Sequence, residues 1–356
     1  MPSAIIVKKT DGKPGKVYYP LHKVSLPPQT PTADQVVIRM SAAALNHRDL
    51  FIRQHLYPGI SFSTPMLADG CGVVSAAGAN AKQWIGKRVV LNPGTGWKDS
   101  PEGPEEGQYA IVGGTKFNPA GTLAESMLFD AGECEEAPEH LSDVEAAALP
   151  LAGLTGWRAL MTKSGNAKPG HNVLVTGIGG GVAIMVLLFG AAAGCNVYVT
   201  SSSPEKLKKA QELGAKGGVN YREKDWASKL ESLLPEKRPF LDTIIDGAGG
   251  DIIKVGNGLL KQGGVIVSYG MTLGPKADFL MQAVLKNVEV RGSTMGSRKE
   301  FGDMVQFVRE KKLKPIVSRA VKGLDLHGID GLFEDMKKGS QFGKLVVQIN
   351  ENSSKL

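Results

Sequence analysis

The stretch with the clearest chemical signal is a glycine-rich turn. Four glycines fill five consecutive positions, at Gly177, Gly179, Gly180 and Gly181. They connect an apolar run at 172–176 to an apolar stretch at 180–193, which predicts a strand, a tight turn and a helix. Backbone N–H groups without side chains and a helix N-terminus both favour a phosphate group. In strict Gly-x-Gly-x-x-Gly spacing the last position is Val182, so the motif is informative mainly through its context. We expect the backbone of these glycines and of Val182 to contact a pyrophosphate.

The residues after the next predicted strand indicate which dinucleotide this turn binds. Ser201, Ser202 and Ser203 follow the strand at 196–200, where sites that prefer NAD place an acidic residue on the ribose 2′-hydroxyl. Hydroxyl donors at Ser201 and Ser202, with Lys206 one turn into the next helix, suit a 2′-phosphate instead. We therefore predict NADP(H). The alternative is that these serines only cap the helix that begins at Pro204.

The elements that position these residues alternate strictly between strand and helix. Ser142 is a predicted N-cap before Asp143. The predicted strands are 172–176, 196–200, 218–221, 241–246, 264–269 and 286–291. Six strands with helices between them predict an α/β fold with a doubly wound parallel sheet.

The flanking regions have a different pattern. Residues 1–130 are rich in short β-branched runs separated by proline and glycine. Residues 92–121 have little periodicity, so we predict a long surface loop there. The tail, 301–356, predicts a helix, a turn and a strand at 345–349.

Composition excludes several classes of protein. The 356 residues include 45 glycines but show no collagen-like repeat, and the only cysteines are Cys71, Cys134 and Cys195. Three scattered thiols cannot build a disulfide framework, which favours a reducing compartment. The net charge of +7 is dispersed, so we predict no nucleic-acid partner. Apolar runs too short for a signal peptide or a membrane span predict a cytoplasmic protein without a membrane partner.

Segments spread over nearly the whole chain resemble the medium-chain dehydrogenase/reductase superfamily. They are 42–50, 69–74, 121–125, 149–157, the glycine-rich turn, 269–270, 291–294 and 342–345. The resemblance implies a Rossmann domain inserted into a GroES-like β-barrel catalytic domain. We expect the catalytic domain at 1–130 and 296–356 and the dinucleotide-binding domain at 131–295. We also predict a homodimer.

The chain departs from the zinc alcohol dehydrogenases of that superfamily at the metal-ligand positions. Asn46 stands at the position of the first cysteine ligand, Ala68-Asp69 at the His-Glu pair, and Leu151 at the second cysteine. No cysteine lies between residues 72 and 133, where the structural zinc lobe needs four. Zinc prefers cysteine, histidine and carboxylate ligands, so we predict no metal and a similarity to the zinc-independent branch of quinone oxidoreductases and enoyl reductases.

A reductase without zinc must stabilise the developing charge on its substrate by hydrogen bonding. Asn46 and Tyr57 are the predicted catalytic residues. Tyr57 lies eleven residues after Asn46, an arrangement that resembles the mitochondrial enoyl thioester reductases, in which the matching tyrosine donates a proton. The alternatives are that Tyr57 only lines the pocket and that Asn46 only bonds to the backbone of a turn. We expect His47 and Asp49 to brace that turn.

The cofactor-binding prediction extends beyond the glycine-rich turn. The resemblance implies that Lys206 and Tyr221 surround the adenosine 2′-phosphate. Gly270 and Met271 follow the fifth predicted strand, and Ser293, Thr294 and Met295 follow the sixth, so we expect both groups at the nicotinamide ribose and carboxamide. For Thr294 and Met295, ordinary packing between the two domains is the alternative.

The sequence therefore predicts a zinc-independent, NADPH-dependent oxidoreductase. Its expected substrate is a small electrophilic molecule, either a quinone or an α,β-unsaturated carbonyl. A pathway-specific enoyl or aldehyde/ketone reductase would have the same motifs. An alternative of another class is an NADPH-binding structural or RNA-binding protein with little catalysis.

Overall fold

The chain forms two units. The computed structural model describes residues 1–105, 107, 109–274 and 276–350. Unit 1 consists of Met1–Leu151 with Ser297–Leu356, and unit 2 consists of Ala152–Gly296. Parts of the predicted loop at 92–121 (Glu106 and Gln108), Pro275 and the end of the predicted tail (351–356) lie outside the described residues.

The first domain boundary differs from the one expected after residue 130. Residues 131–151 group with unit 1 because the strand Cys134–Glu136 pairs with Arg88–Leu91. Arg88 Nε also lies 2.6 Å from the Asp143 carboxylate, which ties the following helix to the same sheet.

The helices and strands are numbered here in chain order. The strands are β1 (Ser3–Val7), β2 (Leu21–Ser25), β3 (Gln35–Ala44), β4 (Asp69–Ala77), β5 (Arg88–Leu91), β6 (Gly94–Thr95), β7 (Ala110–Ile111), β8 (Ser126–Asp130), β9 (Cys134–Glu136), β10 (Asn172–Val175), β11 (Asn196–Ser201), β12 (Gly217–Asn220), β13 (Leu241–Asp246), β14 (Leu260–Ser268), β15 (Glu289–Gly292), β16 (Val317–Lys322) and β17 (Lys344–Gln348). The helices are α1 (His47–Arg53), α2 (Asp143–Ala147), α3 (Pro150–Trp157), α4 (Gly181–Ala192), α5 (Pro204–Glu212), α6 (Trp226–Leu233), α7 (Ile252–Leu259), α8 (Met281–Leu285), α9 (Arg298–Lys311) and α10 (Leu326–Lys338). Short 3₁₀ turns lie at Lys82–Trp84 and Ala131–Glu133, and a π-helical segment at Arg158–Lys163.

Unit 2 contains a parallel sheet of order β12-β11-β10-β13-β14-β15. Every neighbouring pair is parallel, which confirms the predicted doubly wound sheet. Strands β10 and β13 are buried along their whole length, as apolar runs covered on both faces require. The strand order reverses beside β10, and ligands of such sheets bind at this reversal, beyond the carboxyl ends of the strands.

Unit 1 is mainly antiparallel. Its largest sheet has the order β16-β17-β3-β4-β5-β9, and β8 also pairs with β3. Val36, Ile38 and Met40 of the central strand β3 are fully buried and belong to the same apolar core as Leu332 and Phe333 of α10. The C-terminal strand β17 therefore sits against β3, close in space to the N-terminal part of the chain.

The prediction of a surface loop at 92–121 is wrong in part. β6 pairs with β7, and several residues of this stretch are buried: Trp97, Val112, Thr115 and Asn118. Part of this stretch is held by two hydrogen bonds from Arg48 of α1 to the carbonyls of Val112 (3.0 Å) and Gly113 (2.9 Å). Gly113 has a φ of +86°, and a Cβ there would lie 2.2 Å from the Leu67 carbonyl oxygen.

The tail contains more structure than the sequence analysis predicted. The predicted helix and final strand correspond to α9 and β17, but β16 and α10 were missed. Two glycines, Gly328 and Gly331, lower the helix propensity of α10. Its buried residues Ile329, Leu332, Phe333 and Met336 nevertheless follow the i, i+3, i+4, i+7 spacing of an amphipathic helix, which is the signal that was available.

The longest apolar run of the sequence forms helix α4. Most of this helix is buried within unit 2, including Met185, Val186 and Leu187. Within the described residues, no helix combines the length and the apolar character needed to cross a bilayer.

Candidate functional site

The glycine-rich turn of unit 2 has an exposed backbone and a conformation that requires glycine. Gly177 and Gly179 have φ angles of +63° and +134°, in the region that residues with side chains avoid. Gly180 is the N-cap of α4. Thr200 of β11 holds the turn through two hydrogen bonds. Its Oγ1 accepts from the Gly177 N–H (3.0 Å), and its backbone carbonyl accepts from the Ile178 N–H (2.8 Å). A Cβ at Gly177 or Gly180 would meet no atom within 4 Å, so a phosphate can approach the backbone there.

Lys206 lies across this turn. A Cβ built on Gly179 would be 3.0 Å from Cδ and 3.2 Å from Nζ of Lys206. Burial lowers the pKa of Lys206, and its electrostatic interaction with Tyr221 opposes that shift. Tyr221 directly follows β12 and is 46% exposed. A cation and a phenol thus lie together at the expected position of the adenosine phosphate.

The serines after β11 form local hydrogen bonds. Ser201 is buried, and its hydroxyl accepts from the Ser203 N–H at 3.1 Å. Ser203 Oγ accepts from the Lys206 N–H at 3.3 Å and so caps α5, as the alternative interpretation predicts. Accepting a bond leaves the Ser201 hydroxyl hydrogen available to a ligand. Ser202 is partly buried beside them.

The segments after β14 and β15 lie close together and are held by hydrogen bonds through Ser268. Gly270 and Met271 follow β14, and the Gly270 carbonyl accepts from Ser268 Oγ at 3.1 Å. The Ser293 N–H donates to the Ser268 carbonyl at 2.9 Å. Ser293 Oγ is buried without a hydrogen-bond partner among the described residues. A buried hydroxyl without a partner is costly, so this atom fits a polar group of a bound cofactor.

Thr294 and Met295 differ in exposure. Thr294 is exposed. Met295 is buried with a φ of +47°, and Thr155 Oγ1 donates to its sulfur at 3.7 Å. Met295 therefore contacts Thr155 within unit 2.

In unit 1 a buried cluster surrounds Asn46. Asn46 Nδ2 donates to Asp69 Oδ2 at 2.9 Å. Lys344 Nζ donates to Asn46 Oδ1 at 2.6 Å and to Asp69 Oδ2 at 2.7 Å. The other carboxylate oxygen of Asp69 accepts from the Leu151 N–H at 2.7 Å. The three positions expected for zinc ligands therefore meet around one carboxylate and one ammonium group.

Strand register explains why these distant residues meet. Ala44 of β3 lies opposite Asp69 of β4 and also opposite Val346 of β17. Following the antiparallel register of β17 and β3 two residues further places Lys344 opposite Asn46. The pairing of the three strands therefore brings the side chains of Asn46, Asp69 and Lys344 together.

Asp49 and Arg48 support the turn that holds Asn46. Asp49 Oδ2 accepts from the Asn46 backbone N–H at 2.8 Å, so Asp49 braces the start of α1 as expected. Burial raises the pKa of Asp49 to about 6, although the Arg48 guanidinium opposes that shift. Arg48 Nη1 lies 3.3 Å from the Asp49 carboxylate. His47 is exposed, and its ring packs edge-on against Phe51.

Tyr57 lies in a cationic environment. The Arg48 guanidinium carbon is 4.8 Å from the centre of the Tyr57 ring, a cation–π distance. Tyr57 is partly buried against the core of unit 1. A second phenol, Tyr109, interacts electrostatically with both residues, and burial raises its pKa. Among the described residues, Tyr109 Oη is buried without a hydrogen-bond partner.

Sequence reasoning missed Lys344, the bracing role of Arg48, and Tyr109. Lys344 lies 298 residues after Asn46 in the chain, so no local pattern connects them. Tyr109 lies in the stretch predicted as a featureless loop. A lysine at the first position of a buried strand was the one signal available, since buried lysines require a partner.

Comparisons with known proteins agree with this architecture. A family model described as the alcohol dehydrogenase GroES-like domain matches residues 32–139, and one described as zinc-binding dehydrogenase matches residues 181–310. A zinc-type alcohol dehydrogenase-like protein of Leptosphaeria maculans is 53% identical over 98% of this chain and all of its own length. The chain belongs to the medium-chain dehydrogenase/reductase superfamily. A zinc-type alcohol dehydrogenase-like protein of Schizosaccharomyces pombe is 32% identical over 91% of this chain and 93% of its own length.

Solved structures of other proteins superpose closely on this chain. An NAD-dependent alcohol dehydrogenase superposes with a TM-score of 0.86 at 30% identity, covering 98% of this chain and all of that one. A crotonyl-CoA carboxylase/reductase with bound NADP has a TM-score of 0.85 at 20% identity, covering 99% and 95%. The fold is a GroES-like domain combined with a Rossmann domain, and members of this oxidoreductase family use a nicotinamide dinucleotide. The glycine-rich turn and Ser293 Oγ fit such a cofactor.

The zinc that the family's name implies does not fit the residues at the ligand positions. Leu151 has an apolar side chain, and Asn46 contributes an amide that is already hydrogen-bonded at both ends. The one carboxylate, Asp69, is paired with the Lys344 ammonium. In the described part of the chain, no group of three or more histidine, cysteine, aspartate or glutamate side chains is arranged to hold a metal ion. Tetrahedral zinc needs three or four such ligands.

Proposed function

We propose that this protein is a zinc-independent, NADPH-dependent reductase of quinones or α,β-unsaturated carbonyls. The observation that carries the proposal is the buried cluster of Asn46, Asp69 and Lys344. It puts a hydrogen-bond donor and a fixed cation where zinc ligands are expected. Hydride addition to a conjugated acceptor moves negative charge onto its oxygen, and hydrogen-bond donors can stabilise that charge.

The preference for NADPH rests on the contacts of Lys206. Its ammonium lies over the glycine-rich turn with Tyr221 as a neighbour, and no acidic residue follows β11 in the Ser201–Ser203 segment. A 2′-phosphate would form a charge-assisted hydrogen bond with this ammonium. Of two similar solved structures, one is an NAD-dependent alcohol dehydrogenase and the other holds NADP, so the affinities of this protein for NADPH and NADH test the preference directly.

The chemistry assigned to the chain is hydrogen bonding and proton donation. NADPH, when bound, supplies the hydride. Asn46 has one Nδ2 hydrogen that is not used by Asp69, and this N–H is the donor for the substrate oxygen. The Tyr57 hydroxyl supplies a proton to the reduced substrate, with the Arg48 guanidinium packed against its ring.

A turnover panel with metal analysis tests the proposal. The purified protein is assayed with NADPH against an enal, an enone, a benzoquinone and a saturated aldehyde, and with NADP⁺ against a primary alcohol. We expect turnover with the conjugated acceptors, tighter binding of NADPH than of NADH, and no loss of activity after dialysis against a chelator. Zinc at one equivalent per chain, together with chelator-sensitive alcohol oxidation, would contradict zinc independence. No turnover with any acceptor would favour a binding or structural role.

Tyr57→Phe tests the proton donor, and Tyr109→Phe is its matched control. Both substitutions remove one phenolic hydroxyl from the same neighbourhood. We expect Tyr57→Phe to lower kcat with an enone by about 100-fold, within the range for general acid catalysis. Equal kcat values for Tyr57→Phe and the wild type would leave Tyr57 as a residue that lines the pocket.

A further inference from the structure

Lys344 is a buried cation that contacts two polar side chains of unit 1. Its Nζ lies 2.6 Å from Asn46 Oδ1 and 2.7 Å from Asp69 Oδ2. The exposed fractions are 5% for Lys344, 8% for Asn46 and 0% for Asp69. Water therefore competes little with these contacts, and each is electrostatically stronger than the same contact at the surface.

The two partners of Asn46 allow only one orientation of its amide. A lysine ammonium can only donate hydrogen bonds, and an ionised carboxylate can only accept them. The Asn46 oxygen must therefore face Lys344, at 2.6 Å, and its nitrogen must face Asp69, at 2.9 Å. Turning the amide over would bring N–H groups against the ammonium and an oxygen against the carboxylate. The second Nδ2 hydrogen consequently has a fixed direction.

We infer that Lys344 is a positioning residue of the reductase: its ammonium holds the Asn46 amide so that the second N–H meets the substrate oxygen. This inference rests on the proposed function, because it names what orients the donor used there. The cation acts through Asn46 and belongs to the chain itself.

A purely structural role for Lys344 is the competing explanation. A buried carboxylate without a partner is strongly destabilising, so Lys344 could serve only to neutralise Asp69. The two roles can be separated by substitution. A neutral asparagine at position 69 removes the need for a cation but supplies no donor-only partner that fixes the amide of Asn46.

The experiment compares six variants in the full-length protein: K344M, K344R, D69N, the double variant K344M/D69N, N46L, and the triple variant K344M/D69N/N46L. D69N keeps the ammonium and removes only the carboxylate, so we expect it to retain more activity than K344M/D69N. We expect K344M to lower the Tm and K344M/D69N to recover most of it. For K344M/D69N we expect kcat with an enone to fall by about 100-fold, the range for loss of one oxyanion donor, with an unchanged KM for NADPH. N46L should show the same loss, and the triple variant no further loss. K344R, which keeps a donor-only cation, should retain more activity than K344M/D69N.

Two kinetic outcomes would overturn the inference. A wild-type kcat in K344M/D69N would mean that Lys344 only compensates the charge of Asp69. A loss in the triple variant equal to the product of the separate losses would mean that Lys344 does not act through Asn46.

An NMR measurement, which does not depend on enzymatic turnover, separates this inference from the proposed function. The side-chain amide protons of Asn46 can be followed by NMR, with N46L providing the assignment. We expect slow solvent exchange in the wild type and faster exchange in K344M/D69N, and equal exchange rates would overturn the positioning role. A wild-type protein inactive with every conjugated acceptor would overturn the proposed function, while the exchange comparison would still decide whether Lys344 positions Asn46.

Discussion

At the scale of single residues, Asp49 has the clearest link between burial and pH. It is fully buried, and burial raises the pKa of its carboxyl to about 6 from an ordinary value of 3.8. The folded chain therefore binds this proton more tightly than the unfolded chain does. The sign follows directly: this contribution to stability is fully present below about pH 4 and is lost as the pH rises through about 6.

Asp49→Asn isolates this effect. Asparagine keeps an oxygen that can accept from the Asn46 N–H but cannot ionise. As the pH rises from 4 to 7, we expect the variant to gain stability relative to the wild type by about 3 kcal/mol, the equivalent of two pKa units. Urea unfolding of both proteins at several pH values measures this difference. A constant difference across that range would show that Asp49 does not titrate there.

Lys206 is the residue that we expect to select NADPH over NADH. Its Nζ lies over the glycine-rich turn, where a 2′-phosphate would form a charge-assisted hydrogen bond worth about 1.5–3 kcal/mol. We expect Lys206→Ala to weaken NADPH binding by about 10- to 100-fold and NADH binding much less. Lys208→Ala, on an exposed position of the same helix, is the control and should leave both affinities unchanged. Titration calorimetry with the two dinucleotides makes the comparison.

At the scale of elements, regular patterns were predictable and irregular ones were not. The strands of unit 2 follow from apolar runs separated by helical stretches, so β10, β11 and β13 lie within one residue of their predicted bounds. Strand β15 begins at Glu289 instead of residue 286 because the chain first turns at Asn287, where φ is +53°. Within residues 92–121, Val112 and Gly113 are held by Arg48, which lies more distant in the chain, so local sequence could not predict this contact.

The same distinction holds for the candidate site. The glycine-rich turn is local, and its backbone geometry follows from the residues that form it. The cluster around Asn46 depends instead on the pairing of three strands, and its cation comes from the last of them. Sequence analysis could identify Asn46 but not the charges that surround it.

Substitutions at two glycines of the turn separate its backbone strain from its access to phosphate. Gly177 has a φ of +63°, whereas Gly180 has an ordinary φ of −76°, and a Cβ added at either residue would have no atom within 4 Å. We expect Gly177→Ala to cost about 1–2 kcal/mol of stability through backbone strain. Gly180→Ala should change stability little but weaken NADPH binding at least about 10-fold, because its Cβ would occupy the path of the phosphate. Thermal unfolding and cofactor titration of both variants check the pair.

At the scale of the whole molecule, unit 2 presents an apolar edge. Strand β15 ends the sheet and, within the described residues, pairs only with β14. The segment before it exposes large apolar side chains, at Leu273 (76%), Phe279 (54%), Met281 (70%) and Leu285 (74%). An exposed strand edge with such a patch favours a second copy of the chain in a twofold arrangement.

We therefore expect the protein to be a homodimer formed through this edge. Sedimentation should give twice the chain mass of 37.7 kDa. The double variant Met281→Lys/Leu285→Lys should shift the mass to that of a monomer, because two charges would be buried at the interface. Ile85→Lys, at a 54% exposed apolar position in unit 1, is the matched control and should remain dimeric. A monomeric wild type would contradict the prediction.

The position of Lys344 in the chain has a consequence for synthesis on the ribosome. Asp69 emerges 275 residues before the lysine that neutralises it, whereas every residue of unit 2 emerges before that lysine. We therefore expect unit 2 to fold during translation and unit 1 to complete its fold only after β17 has left the exit tunnel. A transcript truncated before codon 344 would yield a folded unit 2 and an incompletely folded unit 1, which would be a substrate for chaperones and proteases.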